Sequence, residues 1–203
     1  MSSNFLWTGI LSGLIALISC GEDPSKNQDT QAVDVQSQNS FTKDPQDEEV
    51  TMTIANASDR ESWIYFDFET GSFLETENPE ENNTWDIAFR RVAIRLNAND
   101  DGQGGVKAAR SEDSFTSLRN LASLSFATEN PSGNPDKNLE NLVFTREGGW
   151  YHYDPQSHTV TPKPLTWVVK TSAGYYKLQI LSYYSESRES GHITFNWQSM
   201  EGP

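Results

Sequence analysis

The residues of this chain best suited to ligate a metal ion are two histidines that lie close together. His152 and His158 flank Asp154 in the segment WYHYDPQSH. Imidazole nitrogen is the commonest protein ligand of transition metals. Alternation along a strand would place His152 on the same face as Asp154, whose carboxylate could fix the tautomer of the imidazole. An ordinary strand histidine and an ordinary turn histidine fit the same pattern, so both interpretations stay open.

Aromatic residues next to His152 could contact a planar ligand. They are Trp150, Tyr151 and Tyr153. Their rings offer flat apolar surfaces for stacking, although packing in a protein core explains such residues equally well. The aromatic content therefore indicates a candidate pocket without identifying its ligand.

Two adjacent arginines form a second candidate group. Arg90 and Arg91 lie in the middle of the segment WDIAFRRVAIRLN. Guanidinium groups bind carboxylates in a fork geometry, so this pair could recognise an acidic ligand. The alternative is a position in solvent or an ion pair with a nearby acid such as Asp86.

Several function classes are disfavoured by the sequence. It contains no nucleophile elbow, no His-Glu-x-x-His zinc motif and no phosphate-binding glycine loop, so we predict that the protein is not an enzyme. The 29 acidic residues outnumber the 15 basic ones and give a formal charge of -14, which is unfavourable for nucleic acid. The Asn- and Gly-rich loop that begins at Asn97 does not match an EF-hand, because its twelfth position is Ala108 rather than glutamate.

The elements that would position these residues are strands. Alternating runs are separated by turns that often contain glycine; they are TMTIAN, SWIYFDF, SFLE, LVFT, WYHYD, TWVVKT, YYKLQILSYY and HITFNWQ. This pattern predicts an all-β domain that is mainly an antiparallel β-sandwich. The segment SEDSFTSLRNLASLSF has roughly helical spacing and predicts one short helix or an irregular turn.

The strand pattern in WDIAFRRVAIRLN changes phase. Apolar residues occupy odd positions up to Phe89 and even positions from Val92 to Leu96. Because side chains alternate strictly along a strand, we predict a bulge or sharp bend at Arg90-Arg91 that lets both halves bury their apolar groups, as when a strand passes from one sheet to another.

The first 50 residues differ in character from the rest. Residues 1–19 are uncharged, and their apolar run is too short for a membrane span, which predicts a cleaved export signal. The following LISC resembles a bacterial lipobox, in which Cys20 would be acylated, with palmitate for example, and would anchor the protein to a membrane. Residues 20–50 are acidic with one aromatic residue, which predicts a disordered tether. Residues 51–203 are predicted to form the folded domain.

Several blocks of the folded domain resemble the HmuY family of bacterial lipoproteins. They are SWIYFDFETG, WDIAFRRVAIRLN with its Gly-rich loop, and GGWYHYD, WVVKTSAGYYKLQILSYY and GHITFNW in the same order. The resemblance spans nearly all of the chain from residue 51 to residue 197. It implies an all-β fold and export as an outer-membrane-anchored lipoprotein, held on the cell envelope. It also implies that haem is the first ligand to test, for iron acquisition through an outer-membrane haem receptor.

The resemblance also bears on the iron ligands. One family histidine lies in the long loop before GGW, and the corresponding residues 122–148 contain neither histidine nor methionine. The other lies a few residues after that Trp, where this chain has Asp154 and Pro155 between His152 and His158. The resemblance thus implies His152 and His158 as haem-iron candidates, with no other metal. The implied pocket residues are Trp150, Tyr151, Tyr153, Arg90 and Arg91. A cell-envelope module that binds a glycan, another small molecule or a receptor protein without haem is the alternative.

Overall fold

The computed structural model describes residues 39–43, 49–98, 105–129, 139–146 and 149–203. The predicted export signal, Cys20 and most of the predicted tether lie outside these residues, as does the middle of the Gly-rich loop. No helix within the described ranges is long and apolar enough to cross a membrane.

The regular elements in the described part of the chain are strands, apart from one 3-10 helix. They are β1 (Ser40–Lys43), β2 (Thr51–Asn56), β3 (Ile64–Asp67), β4 (Ser72–Leu74), β5 (Ile87–Arg90), β6 (Ala93–Leu96), β7 (Lys107–Ser111), β8 (Tyr151–Asp154), β9 (Thr159–Pro162), β10 (Thr166–Lys170), β11 (Tyr175–Tyr184) and β12 (Ser190–Met200), with a 3-10 helix at Leu139–Asn141. A six-stranded sheet has the order β1-β2-β12-β11-β10-β7, and a four-stranded sheet has the order β4-β3-β5-β6. Strands β8 and β9 form a separate hairpin. Every pair is antiparallel, so the predicted all-β class is confirmed.

The two larger sheets pack against each other through one aromatic core. Phe89 of β5 stacks on Phe195 of β12 with ring centroids 5.2 Å apart, and Phe66 of β3 meets the same ring edge-on at 5.6 Å. Phe68 stacks on Tyr176 of β11 at 5.0 Å. Each aromatic pair of this kind adds about 0.5–1.5 kcal/mol beyond the burial of its apolar area. The core therefore fixes the relative position of the two sheets and confirms the predicted sandwich.

The outer face of the six-stranded sheet is covered by the segment predicted to be a short helix. This segment forms irregular turns instead of a helix. Its buried residues Leu118 and Leu121 nevertheless pack on Val168 of β10. Lys177 of β11 is 5% exposed and donates from Nζ to the carbonyl of Phe115 at 3.0 Å. Of the two predicted alternatives, the irregular turn is the one that forms, and its apolar residues are buried against the sheet.

Of the predicted bulge or sharp bend at Arg90-Arg91, the structure has a sharp reversal of the chain, and the chain does not pass to another sheet there. Strands β5 and β6 pair with each other in the same sheet, with Arg90 opposite Ala93, so Arg91 and Val92 form a two-residue hairpin turn. Arg91 has a φ of 51°, as mirror-image hairpin turns require at their first position. The change of phase marks a reversal of the chain, because the partners Phe89 and Ile94 then face the same core.

Two other predictions need correction. Residues of the run LVFT lie in turns after the 3-10 helix, and Leu142, Val143 and Phe144 are all buried, which an alternating strand on one core would not allow. The predicted tether included residues 40–43, but these form β1, which pairs with β2 at the edge of the large sheet. Phe41 of β1 lies 5.6 Å from the ring of Phe73, so apolar contact stabilises this edge strand.

Candidate functional site

The β8–β9 hairpin carries both of the neighbouring histidines. Its strands pair from Tyr151 opposite Pro162 to Asp154 opposite Thr159, and four residues form the turn. The Asp154 carboxylate accepts hydrogen bonds from the backbone N–H of Gln156 at 2.9 Å and from Ser157 Oγ at 2.5 Å. These donors, the Ser157 hydroxyl first, lower the pKa of Asp154. The side chain of Asp154 therefore closes the turn as an ionised acceptor.

The base of this hairpin is anchored in the core of the sandwich. Trp150 is 1% exposed, and its Nε1 donates to the carbonyl of Val92 at 3.0 Å. The backbone N–H of Val160 donates to the Tyr184 hydroxyl at 3.0 Å. Tyr151 is partly buried against the same core, and burial raises the pKa of its phenol. Rigid anchoring of this kind fixes the direction in which the tip of the hairpin points.

The tip of the hairpin brings Tyr153 and His158 together. The phenolic oxygen of Tyr153 lies 2.6 Å from Nδ1 of His158, which is hydrogen-bonding distance. Both side chains are exposed, Tyr153 to 45%. His158 is the last turn residue and has a left-handed φ of 55°. We call Tyr153 and His158 the tip pair.

His152 is exposed but lies apart from the tip pair. Alternation along β8 puts Tyr153 on one face of the hairpin and His152 on the other. Since His158 reaches Tyr153, the two imidazoles occupy opposite faces of the hairpin. Within the residues that the structure describes, no group of three or more His, Cys, Asp or Glu side chains is arranged to hold a metal ion.

The side chains of the two adjacent arginines make different contacts. Arg91 points inward, where Nη1 donates to the carbonyls of Ser58 at 3.1 Å and Ser190 at 3.0 Å, and Nη2 donates to Ser190 Oγ at 2.8 Å. Arg90 lies over the ring of Trp63, with its guanidinium carbon 4.4 Å from the centroid. The structure therefore does not bring the two guanidinium groups into one fork.

A second cluster, which the sequence analysis did not identify, lies on the outer face of the small sheet. Arg95 of β6 is 8% exposed, and its guanidinium lies 4.9–5.7 Å from the ring centroids of Trp63, Tyr65 and Trp85. Its Nη1 pairs with Glu80 at 2.9 Å. Its Nε and Nη2 are buried and make no hydrogen bond within the described ranges. Strand alternation alone could have placed Arg95 opposite the core face, but not among these rings.

Two buried carboxyl groups have pKa values well above the usual range. Burial raises the pKa of Asp86 to about 7, against the opposing effect of the hydrogen bond that it accepts from the N–H of Phe68 at 2.9 Å. Burial likewise raises the pKa of Glu129 to about 8. Neither carboxyl group belongs to the β8–β9 hairpin.

The candidate site thus consists of an anchored hairpin with exposed nitrogen and oxygen donors. A phenol hydrogen-bonded to an imidazole is a polarised pair in which either oxygen or nitrogen can bind an electrophilic metal centre. His152 adds a second imidazole on the opposite face. This arrangement is suited to ligand binding.

Solved structures of similar fold come from several bacteria. A protein of Bacteroides fragilis described as a lipoprotein has a TM-score of 0.58 at 15% identity, over 80% of this chain and 97% of that one. A protein of Bacteroides vulgatus described as HmuY-like and heme-binding has a TM-score of 0.55 at 20% identity, over 78% and 96%. The apo HmuY analog of Tannerella forsythia has a TM-score of 0.56 at 16% identity, over 83% and 100%.

Sequence comparison agrees with the fold. No curated protein sequence matches the chain. The family model described as HmuY protein matches residues 59–197, which include β3 to β11, most of β12 and the whole β8–β9 hairpin. The sandwich, its aromatic blocks and the hairpin on which the exposed histidines lie are therefore those of a family fold, and this chain belongs to the HmuY protein family.

Proposed function

We propose that this protein binds haem at the tip of the β8–β9 hairpin. Membership of the HmuY family supports this function, and one structural neighbour is described as heme-binding. The observation that carries the proposal is the exposed tip pair, in which Tyr153 and His158 lie 2.6 Å apart on a hairpin anchored in the core. The role is one of binding rather than catalysis.

The donor chemistry at the hairpin fits haem iron. Imidazole and phenolate are both established axial ligands of haem. His152 and His158 supply the imidazoles, Tyr153 supplies a phenol, and all three side chains are exposed. Partly buried Tyr151 lies on the same face as Tyr153 and adds aromatic surface for a porphyrin. Bound haem would supply a Lewis-acidic iron centre, which the residues of the hairpin hold and orient.

The wider setting of the proposal is the bacterial cell envelope. Export through residues 1–19, acylation of Cys20 and a tether that begins there would hold the domain at the outer membrane. Haem bound there would pass to an outer-membrane receptor for iron acquisition. The description of one structural neighbour as a lipoprotein supports this setting. Replacement of Cys20 by serine should move the protein from the membrane fraction to the soluble fraction of cells.

Titration of the purified protein with haemin tests the proposed ligand. We expect a saturable shift of the Soret band with one haem per chain. The double variant His152→Gln with His158→Gln should alter or abolish this shift, whereas His192→Gln, a histidine at the start of β12, serves as the matched control. Absence of any Soret shift in the wild-type protein would remove haem as the ligand.

A ligand other than haem is the second candidate, favoured by the cluster around Arg95. Trp63 is partly exposed and is contacted by Arg90 at 4.4 Å and Arg95 at 5.0 Å. Arginine beside an exposed aromatic ring suits an acidic glycan or another carboxylate. A glycan-binding screen of wild-type protein and Trp63→Ala distinguishes this candidate, because only binding that depends on Trp63 would support it.

A further inference from the structure

Relative acidity favours one direction of proton donation in the tip pair. Either group could donate across the 2.6 Å contact, but a phenolic O–H is a stronger acid than the N–H of a neutral imidazole, which favours donation from the Tyr153 hydroxyl to Nδ1 of His158. A neutral imidazole that accepts at Nδ1 carries its proton on Nε2. That nitrogen then has no lone pair available for a metal, whereas the oxygen of Tyr153 still has its lone pairs.

We propose that the oxygen of Tyr153, rather than an imidazole nitrogen, is the iron donor of this chain, and that His158 is a positioning residue that accepts the phenolic proton. This inference rests on the proposed haem function and identifies the atom through which it acts. Tyrosinate is a known axial ligand of ferric haem. Outer groups that hydrogen-bond to a ligand fix its orientation and raise its basicity.

The backbone of His158 supports its role as a positioning residue. Its φ of 55° is the left-handed conformation that glycine adopts without strain. The turn itself is held by Asp154, which accepts from Gln156 and Ser157. The ring of His158 is hydrogen-bonded to Tyr153. An imidazole at a strained, exposed position with this partner is explained by what it does to Tyr153.

The proton and the electron pair balance in this arrangement. The O–H bond of Tyr153 breaks, and its proton moves to Nδ1 of His158. If haem is bound, the freed lone pair of the Tyr153 oxygen would be available to ferric iron, with no change of oxidation state. The resulting imidazolium donates from Nδ1 back to the phenolate oxygen, so the hydrogen bond of the tip pair is kept in the opposite sense.

Absorption and electron paramagnetic resonance spectra of the ferric haemin complex test this assignment. We expect a high-spin spectrum with a phenolate-to-iron charge-transfer band in the wild-type protein. Tyr153→Phe should lose that band and weaken haemin binding at least about tenfold, and His158→Gln should keep the band and weaken binding about 10–100-fold. Tyr175→Phe, a tyrosine at the start of β11, is the matched control and should behave as wild type. Unchanged thermal unfolding midpoints would exclude misfolding as the cause.

The outcomes separate this inference from the proposed function. A wild-type low-spin spectrum that is insensitive to Tyr153→Phe but is lost when both hairpin histidines are replaced would overturn the inference and leave haem binding in place. Failure of the wild-type protein to shift the Soret band would overturn both. Reduction by dithionite is an independent readout, because phenolate favours ferric iron. We expect reduction to weaken binding by about tenfold or more, and retention of full affinity would contradict a phenolate ligand.

Discussion

Three hairpin turns in the described part of the chain each place a bulky residue in the left-handed backbone conformation, and the third of these residues is the exposed Arg188 of the β11–β12 turn. Arg91 has a φ of 51° in the β5–β6 turn, and His158 has a φ of 55° in the β8–β9 turn. A residue with a Cβ atom pays about 1–2 kcal/mol for this conformation. The turns at Arg91 and His158 differ in what the strained residue does with its side chain.

At Arg91 the side chain explains the strain. Its guanidinium donates to Ser58 and Ser190, lies 5.8 Å from the ring centroid of Tyr183, and thereby joins three separate parts of the chain. Its backbone N–H also donates to the carbonyl of Ala57 at 2.8 Å. Gly191 makes room for it, because a Cβ atom there would lie 2.9 Å from Nη1 of Arg91. The cost of the backbone is offset by structural contacts.

At His158 no comparable structural contact with the described residues accounts for the strain. Its exposed ring meets Tyr153, which is itself 45% exposed. The turn is closed by Asp154 independently of the imidazole. Strained residues that make few structural contacts often lie at functional sites. The side chain of Arg91 thus stabilises the fold, whereas the side chain of His158 is distinguished from the equally exposed Arg188 by its contact with Tyr153.

Replacement of Arg91 should have the largest effect on stability. Arg91→Gly relieves the backbone strain but removes three hydrogen bonds from a charged donor and leaves the carbonyls of Ser58 and Ser190 without this partner. We expect the free energy of unfolding to fall by about 3 kcal/mol, measured by urea denaturation. Arg188→Gly, at an exposed residue with a φ of 66°, is the matched control and should not destabilise. A stable Arg91→Gly variant would show that the side-chain contacts do not offset the strain.

Part of the pH dependence of stability should come from Asp86, which lies next to the β5–β6 hairpin. The pKa of Asp86, next to β5, rises from 3.8 to about 7 in the folded protein. The folded state then binds one more proton than the unfolded state between about pH 4 and pH 7, so stability is highest at the acidic end of that window and falls as the pH rises. Asp86→Asn keeps the acceptor for Phe68 N–H and should make this decrease smaller, while Glu129, whose pKa is also raised, accounts for part of the remainder.

Urea denaturation at several pH values between about 3 and 8 would measure this effect. Asp154, in the β8–β9 turn, has a lowered pKa and should act in the opposite direction, losing its contribution as the pH falls below about 4. Asp154→Asn is therefore the comparison variant. An unchanged pH profile in Asp86→Asn would argue against a protonated Asp86 in the folded state.

Replacement of His158 should have the smallest effect on stability and a clear effect on binding. His158→Gly relieves the left-handed strain and removes no contact that closes the turn. We expect the free energy of unfolding to stay unchanged or to rise by up to about 1 kcal/mol in the same denaturation assay. Haemin binding should weaken at the same time. A loss of stability as large as that of Arg91→Gly would abolish the distinction between the two turns.

Side-chain periodicity predicted most of the strands because it reports which face of an element is buried. The run YYKLQILSYY forms β11 over its whole length. Bulges after Ile180 turn Tyr183 into the core, although strict alternation would place Tyr183 on the face opposite Ile180. Bulges and buried turns such as Leu142–Phe144 depend on tertiary packing, so they left no periodic signal in the sequence.

Turn geometry was the least predictable part of the site. The β5–β6 turn has Arg91 and Val92 where Asn-Gly would have signalled a tight hairpin. Arg91 adopts its conformation through contacts with Ser190, which lies 99 residues away in the sequence. Likewise, the sequence identified His158 and Tyr153 separately, but their contact depends on the left-handed φ of His158. The local sequence identified these donor residues, but it could not predict that they contact each other.

Resonance Raman spectroscopy of the ferric haemin complex tests directly whether the oxygen of Tyr153 binds iron. Excitation in the charge-transfer band enhances vibrations of a phenolate ring only when its oxygen is bound to iron. We expect such bands in the wild-type complex and in His158→Gln, and their loss in Tyr153→Phe. A wild-type spectrum with the bands of low-spin haem bound by two imidazoles, and without phenolate bands, would contradict iron binding by Tyr153.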